Sequence, residues 1–82
     1  MAEDFVNHKS ALLEYLQGKI HTVPEYVLVE ESGPEHQKLF TTEVHVNGKV
    51  YGRGQGGNKK KAEQEASRVT LEMLLAENAE KK

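Results

Sequence analysis

The chain has 82 residues, 37% of them apolar and 29% charged, with a formal net charge of −2 and no cysteine. That length supports one small domain and leaves little room for an internal active-site cavity, because so small a core is filled by its own side chains. The lack of cysteine excludes a disulfide framework and a thiolate zinc site, no apolar run approaches a membrane span, and residues 1–20 lack the plan of a signal peptide, so a soluble, cytoplasmic chain is expected.

Residues 7–17 place Ala11, Leu12, Tyr15 and Leu16 at helical spacing, with Asn7 or Asp4 able to cap the start. Gly18 and Pro24 are expected to bracket a loop. Residues 25–31 alternate as a strand, with Val27 and Val29 on one face and Tyr26 and Leu28 on the other, until Ser32-Gly33-Pro34 breaks it. Residues 38–46 alternate again, with Phe40, Thr42, Val44 and Val46 sharing a face and Thr41, Glu43 and His45 opposite. Asn47-Gly48 then precedes Val50-Tyr51, a hairpin signal because a type I′ turn needs positive φ at both central positions. A helix over residues 59–76 follows, capped by Asn58, with Ala62, Ala66, Val69, Thr70, Met73 and Leu74 along one stripe. The order α-β-β-β-α predicts an α+β domain over residues 7–76, two helices on one face of a three-stranded antiparallel sheet, with residues 1–6 and 77–82 as flexible termini.

The charge is segregated. No acid stands between Glu43 and Glu63, whereas Lys49, Arg53, Lys59, Lys60 and Lys61 do. A basic patch on an otherwise acidic domain suits a polyanionic partner. Its alternative reading is a solvated basic loop.

Gly52-Arg53-Gly54-Gln55-Gly56-Gly57 spells G-x-G-x-x-G. A dinucleotide-binding reading needs a further parallel strand carrying a ribose-binding acid, and the sequence shows none after the helix. A P-loop needs Lys where Asn58 stands. A G-x-x-G clamp of the KH type joins two helices, whereas this glycine run joins a strand to a helix. Lys59, Lys60 and Lys61 occupy the first turn of a helix, where each exposed cation opposes the macrodipole by roughly 0.3–1 kcal/mol. An anion held by the free N–H groups and the lysine heads reverses that penalty, and the glycines are expected to let the backbone approach it closely.

The sequence resembles the double-stranded-RNA-binding domain over about residues 7–75. The matching text is Lys9-Ser10-Ala11-Leu12 with Glu14, Gly33-Pro34-Glu35-His36, Phe40-Thr41-Thr42-Glu43-Val44, Val46-Asn47-Gly48-Lys49, Gly52-Arg53-Gly54-Gln55-Gly56 and Asn58-Lys59-Lys60-Lys61-Ala62-Glu63. Within the family it is most similar to the C-terminal domain of bacterial ribonuclease III. The resemblance implies that Ser10, Glu14 and Gln17 on the first helix enter one minor groove of A-form RNA. It also implies that the Gly33–His36 loop enters the next, with His36 and the backbone near Pro34 as contacts. Lys59, Lys60 and Lys61 then bridge the intervening phosphates with Asn58 and the helix end, and such domains span about 16 bp.

The first helix supports this independently: Ser10, Leu13, Glu14 and Gln17 form one stripe at i, i+3, i+4 and i+7. A carboxylate at position 14 is unsuited to phosphate but can accept a hydrogen bond from a 2′-hydroxyl, which DNA lacks. Leu13 stands where the ribonuclease III branch commonly has Gln, Gly57 where Arg or Lys is frequent, and Asn58 where Ser is. Affinity at the lower end for the family is therefore expected. His8, His21 and His45 belong to no motif and read as ordinary surface or partly buried residues, and no metal site is expected.

Catalysis in ribonuclease III uses acids and a divalent metal, Mg2+, in a separate N-terminal domain, so these residues are expected to carry no catalytic group and no cofactor, and to be a fragment. Double-stranded RNA is the expected partner. The piece itself should be monomeric, with a possibility left open that its parent is a homodimer. An interaction module of the same fold that has lost RNA binding is the alternative, although the lysine cluster and His loop are intact.

Overall fold

The computed structural model describes residues 7–80, with side chains through residue 77. The expected flexible termini at 1–6 and 81–82 lie outside the described residues. Helix α1 runs His8–Ile20, strands β1, β2 and β3 run Glu25–Ser32, Leu39–Val46 and Lys49–Gly56, and helix α2 runs Lys59–Glu80. The sheet is antiparallel in the order β1-β2-β3, and α1 packs on α2, which lies across β3 and β2. The expected α-β-β-β-α architecture is present.

Asn7 caps α1: its side-chain oxygen accepts the Ser10 N–H at 3.1 Å. The helix does not stop at Gly18 as the sequence suggests. It continues to Ile20 and ends at His21, whose left-handed backbone (φ 53°) directs its N–H to the Leu16 carbonyl. Gly18 meets no neighbour within 4 Å, so the helix simply runs through it, and the αL cap at His21 provides the stop. The N-terminal hairpin loop is closed by Gly33 at φ 93° and a single 3-10 turn, Glu35–Gln37, in which the Gln37 N–H reaches the Pro34 carbonyl at 2.9 Å. Asn47 and Gly48 both take positive φ, 53° and 81°, as the turn between β2 and β3 requires. A register shift between Leu28 and Glu30 interrupts the simple alternation expected of β1, at Val29.

Leu12 and Leu16 of α1, Val44 and Val46 of β2, and Ala66 and Leu74 of α2 form the core, with Tyr15, Tyr26, Tyr51 and Leu71 packed around it. Full burial of each leucine contributes roughly 1.5–3 kcal/mol. Members of the expected helix stripes lie outside it: Ala11 is exposed, and on α2 Val69 is half-buried and Met73 41% exposed because the buried row runs through Ala62, Ala66, Thr70 and Leu74, with Ser67 beside it. Helix α2 also continues to Glu80, beyond the expected end at residue 76 and into the stretch expected to be a tail.

The glycines of β3 have a different role from the one their spacing suggested. Gly52, Gly54 and Gly56 alternate on a strand, so all three face the same side, and that side is α2. A β-carbon on Gly52 would lie 2.5 Å from Thr70 Oγ1, and one on Gly56 would lie 2.6 Å from Lys61 Cβ. The Gly52 N–H donates to Thr70 Oγ1 at 2.9 Å. These glycines bring a helix, not an anion, against the strand, and in doing so they fix where the N-terminus of α2 emerges.

Candidate nucleic-acid interface

The lysine cluster begins where β3 ends. Only Gly57 and Asn58 separate Gly56 from Lys59, so the short link places the first turn of α2 at the rim of the sheet. Asn58 is the cap that its residue type predicts: its side-chain oxygen accepts the Lys61 N–H at 2.8 Å, and its carbonyl accepts from Ala62 at 3.1 Å. The amides of Lys59 and Lys60 stay at the open, partially positive end of the helix. Lys59, Lys60 and Lys61 are all exposed, and among the described residues none of them is ion-paired.

Other cations are occupied. Arg53, counted in the basic stretch by sequence, reaches Glu43 at 2.6 Å across β2 and β3, and Glu43 also meets His45 Nε2 at 3.0 Å. The two hydrogen bonds, Arg53 first and His45 second, hold the Glu43 carboxyl below the usual carboxylate range. Lys49 lies 3.9 Å from Glu77. Arg68 pairs with Glu65 and, at 2.9 Å, with Glu72. The basic patch is therefore narrower than the sequence suggests, concentrated at residues 59–61. His45 is partly buried, as expected of an ordinary residue, and its ring meets Glu43.

On α1, Ser10, Glu14 and Gln17 are all exposed along one stripe, with Leu13 36% exposed between them. In the loop after β1, Pro34 and His36 are exposed on the 3-10 turn, whose base is closed by a Lys38–Glu31 pair at 2.5 Å. That pair lowers the Glu31 carboxyl, and Lys59 lies close enough to lower it further.

Two observations join these parts. An open cleft of about 420 Å3 is lined by Ser10 and Leu13 of α1 and by Lys60 and Gln64 of α2, so the α1 stripe and the lysine end share one border. The sheet register aligns Glu31, Phe40 and Gly56 across the three strands, so the His36 loop and the N-terminus of α2 leave the same end of the sheet. The order across the surface is thus the α1 stripe, the α2 N-terminus, then the loop.

What holds α1 against α2 is invisible in the motif text. Lys9 Nζ reaches Glu63 at 2.6 Å and sits 4.9 Å from the centre of the Tyr26 ring. The Ser67 hydroxyl donates to the Glu63 carbonyl at 2.8 Å, which leaves the Tyr26 hydroxyl to donate to Ser67 Oγ at 2.8 Å. Burial pushes the Tyr26 phenol up, with Ser67 opposing. Lys9 and Glu63 both lie in the quoted motifs, but their pairing spans 54 residues and has no local signature.

A contiguous face with a helix N-terminus rich in free lysines between a polar helix stripe and an exposed loop suits an extended polyanion with two grooves. Compared with known proteins, residues 8–74 match the family described as Double-stranded RNA binding motif. The chain belongs to this family. Among curated relatives, Ribonuclease 3 of Syntrophotalea carbinolica is 45% identical over 69 residues, 84% of this chain and 30% of that protein. Ribonuclease 3 of Treponema denticola is 46% identical over 72 residues, covering 88% of this chain and 29% of that one. The double-stranded-RNA-binding domain described here thus spans about 30% of the length of these relatives. A structure of Arabidopsis HYL1 superposes with a TM-score of 0.70 at 39% identity, covering 83% of this chain and 96% of that one. Dicer from Pichia stipitis gives a TM-score of 0.65 at 31% identity, covering 79% of this chain and 31% of that one.

Proposed function

We propose that this chain grips double-stranded RNA by shape, with little sequence preference, through the face formed by α1, the lysine end of α2 and the His36 loop. The observation that carries the reading is that Ser10 and Lys60 line the same cleft while the His36 loop and the N-terminus of α2 leave the same end of the sheet. A-form RNA offers a shallow minor groove lined with 2′-hydroxyls and, across the major groove, two rows of phosphates. Ser10, Glu14 and Gln17 meet the first of these minor grooves, Pro34 and His36 the next, and Lys59, Lys60 and Lys61 the phosphates between them, with Asn58 holding the helix end in place.

The chain is further proposed to serve as the RNA-binding portion of a cytoplasmic ribonuclease III, monomeric alone and carried in a homodimeric parent. Cleavage with Mg2+ is assigned to a part of that parent outside these residues, because the chain matches the RNA-binding family and spans only about 30% of the length of its Ribonuclease 3 relatives. The domain itself is assigned no cofactor.

The test is a titration against a paired RNA of about 20 bp, longer than the ~16 bp such a domain spans, with the matching DNA duplex and single strand at two salt concentrations. Salt-sensitive binding to the RNA duplex alone is expected. No binding to any of the three overturns the reading in favour of a protein-binding module of the same fold.

A further inference from the structure

The side chain of Gln64, on α2 one turn past Lys60, is half-buried on the wall of the open cleft and directed at α1. Its carbonyl oxygen accepts the N–H of His8 at 2.8 Å and that of Lys9 at 3.3 Å, and its amide donates to the Asn7 side chain at 3.3 Å. These are groups of the first turn of α1, which lack intrahelical partners and which a local residue normally satisfies. A residue from the other helix caps α1 instead, sharing the task with Asn7.

This arrangement has a geometrical effect. Gln64 follows Lys60 by one helical turn, so it stands directly behind the lysine cluster on the same helix. Its bonds to His8 and Lys9 end immediately before Ser10, the first residue of the α1 stripe. The Lys9–Glu63 pair runs beside them at 2.6 Å. The spacing between phosphate-facing lysines and groove-facing stripe is thereby set through side chains in the seam between the two helices, on the wall of the cleft they share.

We infer that Gln64 is a positioning residue: it fixes the register of α1 on α2, and so matches the distance between the two contact regions to the distance between phosphate ridge and minor groove on the duplex. The inference rests on the RNA-binding reading above. It assigns Gln64 no contact with RNA, because its carbonyl and one amide hydrogen are engaged by α1. Its contribution should therefore appear only when both regions are engaged at once.

Gln64→Met keeps the volume and removes the three hydrogen bonds, while Gln64→Glu restores the acceptor for His8 and Lys9. Each variant is titrated with an RNA of about 20 bp and one of about 8 bp, the shorter offering roughly half the ~16-bp footprint. Gln64→Met is expected to lose about tenfold in affinity for the long duplex and nothing for the short one, because misplacement costs binding only where two sites must be met together. Gln64→Glu is expected to recover the long-to-short ratio, even where its added charge weakens both. Hydrogen exchange of the His8 and Lys9 amides, faster in Gln64→Met and restored in Gln64→Glu, reports the cap without RNA.

Faster exchange with an unchanged long-to-short ratio overturns the positioning role and leaves the RNA-binding reading standing. An equal loss on both duplexes overturns it too, since a direct contact or general loosening does that. If the unaltered chain binds neither duplex, the RNA-binding reading fails first, and the exchange data alone show whether the cap exists.

Discussion

Gly54 of β3 and Ala66 of α2 are in backbone contact: a β-carbon on Gly54 would run into the amide nitrogen of Ala66 and lie 2.8 Å from the carbonyl of Ala62. Neither obstacle is a flexible side chain, so neither can move without shifting the helix. Gly54→Ala is therefore expected to destabilise the domain by at least the roughly 1–3 kcal/mol typical of an overpacked core. Gly18→Ala, on the exposed surface of α1 with nothing within 4 Å, should act oppositely and stabilise by roughly 0.5–1 kcal/mol. Urea unfolding of the two variants checks both signs.

Removing charge at the N-terminus of α2 tests the phosphate role. The double substitution of Lys59 and Lys60 by Ala should weaken binding to every duplex and flatten the dependence of log K on log salt. Each lost phosphate contact is worth about 0.9 of slope on B-DNA, and a similar value is expected on RNA. Fluorescence anisotropy at several salt concentrations measures it, and an unchanged slope removes these lysines from the interface.

Glu14 is a test of discrimination. On the exposed stripe of α1 it can accept from a 2′-hydroxyl but gains nothing from phosphate. Glu14→Ala should narrow the ratio of RNA to DNA affinity while leaving the salt slope near that of the parent chain. A steeper slope with the ratio preserved would mark Glu14 as a simple repulsive charge.

Gly57 offers a gain. It has open space around its α-carbon and no positive φ, so a long side chain fits there without strain. Gly57→Lys places a fourth cation next to the exposed cluster. Tighter duplex binding and a steeper salt slope are expected, with little net change in stability, since the roughly 0.4–1 kcal/mol from a less mobile unfolded chain is offset by the roughly 0.3–1 kcal/mol cost of a cation at the helix start. Calorimetric melting and the same anisotropy series measure the two effects.

Acid should unfold the domain through its paired carboxylates. Glu43 is held below its ordinary range by Arg53 and His45, Glu31 by Lys38, and Glu65 by Arg68. A carboxylate with a lowered folded value contributes stability that is complete above its unfolded value, about 4.3, and is lost as pH falls through the folded one. Thermal midpoints should thus be flat from neutral pH to about 5 as far as these groups act, then fall below about 4. Glu43→Gln should make the fall shallower. Because the pairs are near the surface, high salt should shrink it as well.

The parts of the fold legible in sequence are those with local causes. Asn47-Gly48 can form a tight turn with both residues at positive φ, and Asn58 can cap the amide three residues on, so the hairpin and the start of α2 follow from short text. The stripe of Ser10, Glu14 and Gln17 follows from helical spacing. The end of α1 was not legible because the stop is His21, a weaker signal for the left-handed region than the glycine before it. The β3 glycines were misread because a Gly-rich run has the same appearance whether a ligand or a helix is its neighbour. Gln64, Lys9 and Glu63 were beyond reach because each acts on a partner more than 50 residues away.

The pairing of Glu65 and Glu72 with Arg68, and the free cluster at residues 59–61, give α2 a positive head and a mixed, acid-rich shaft. Lys59 and Glu77 lie about 27 Å apart along such a helix, well beyond the screening length of about 10 Å at 0.1 M salt. On the reading proposed above, an incoming duplex is drawn to the lysine head and repelled by the acids of the shaft, so the binding pose is favoured during approach, before any groove is touched.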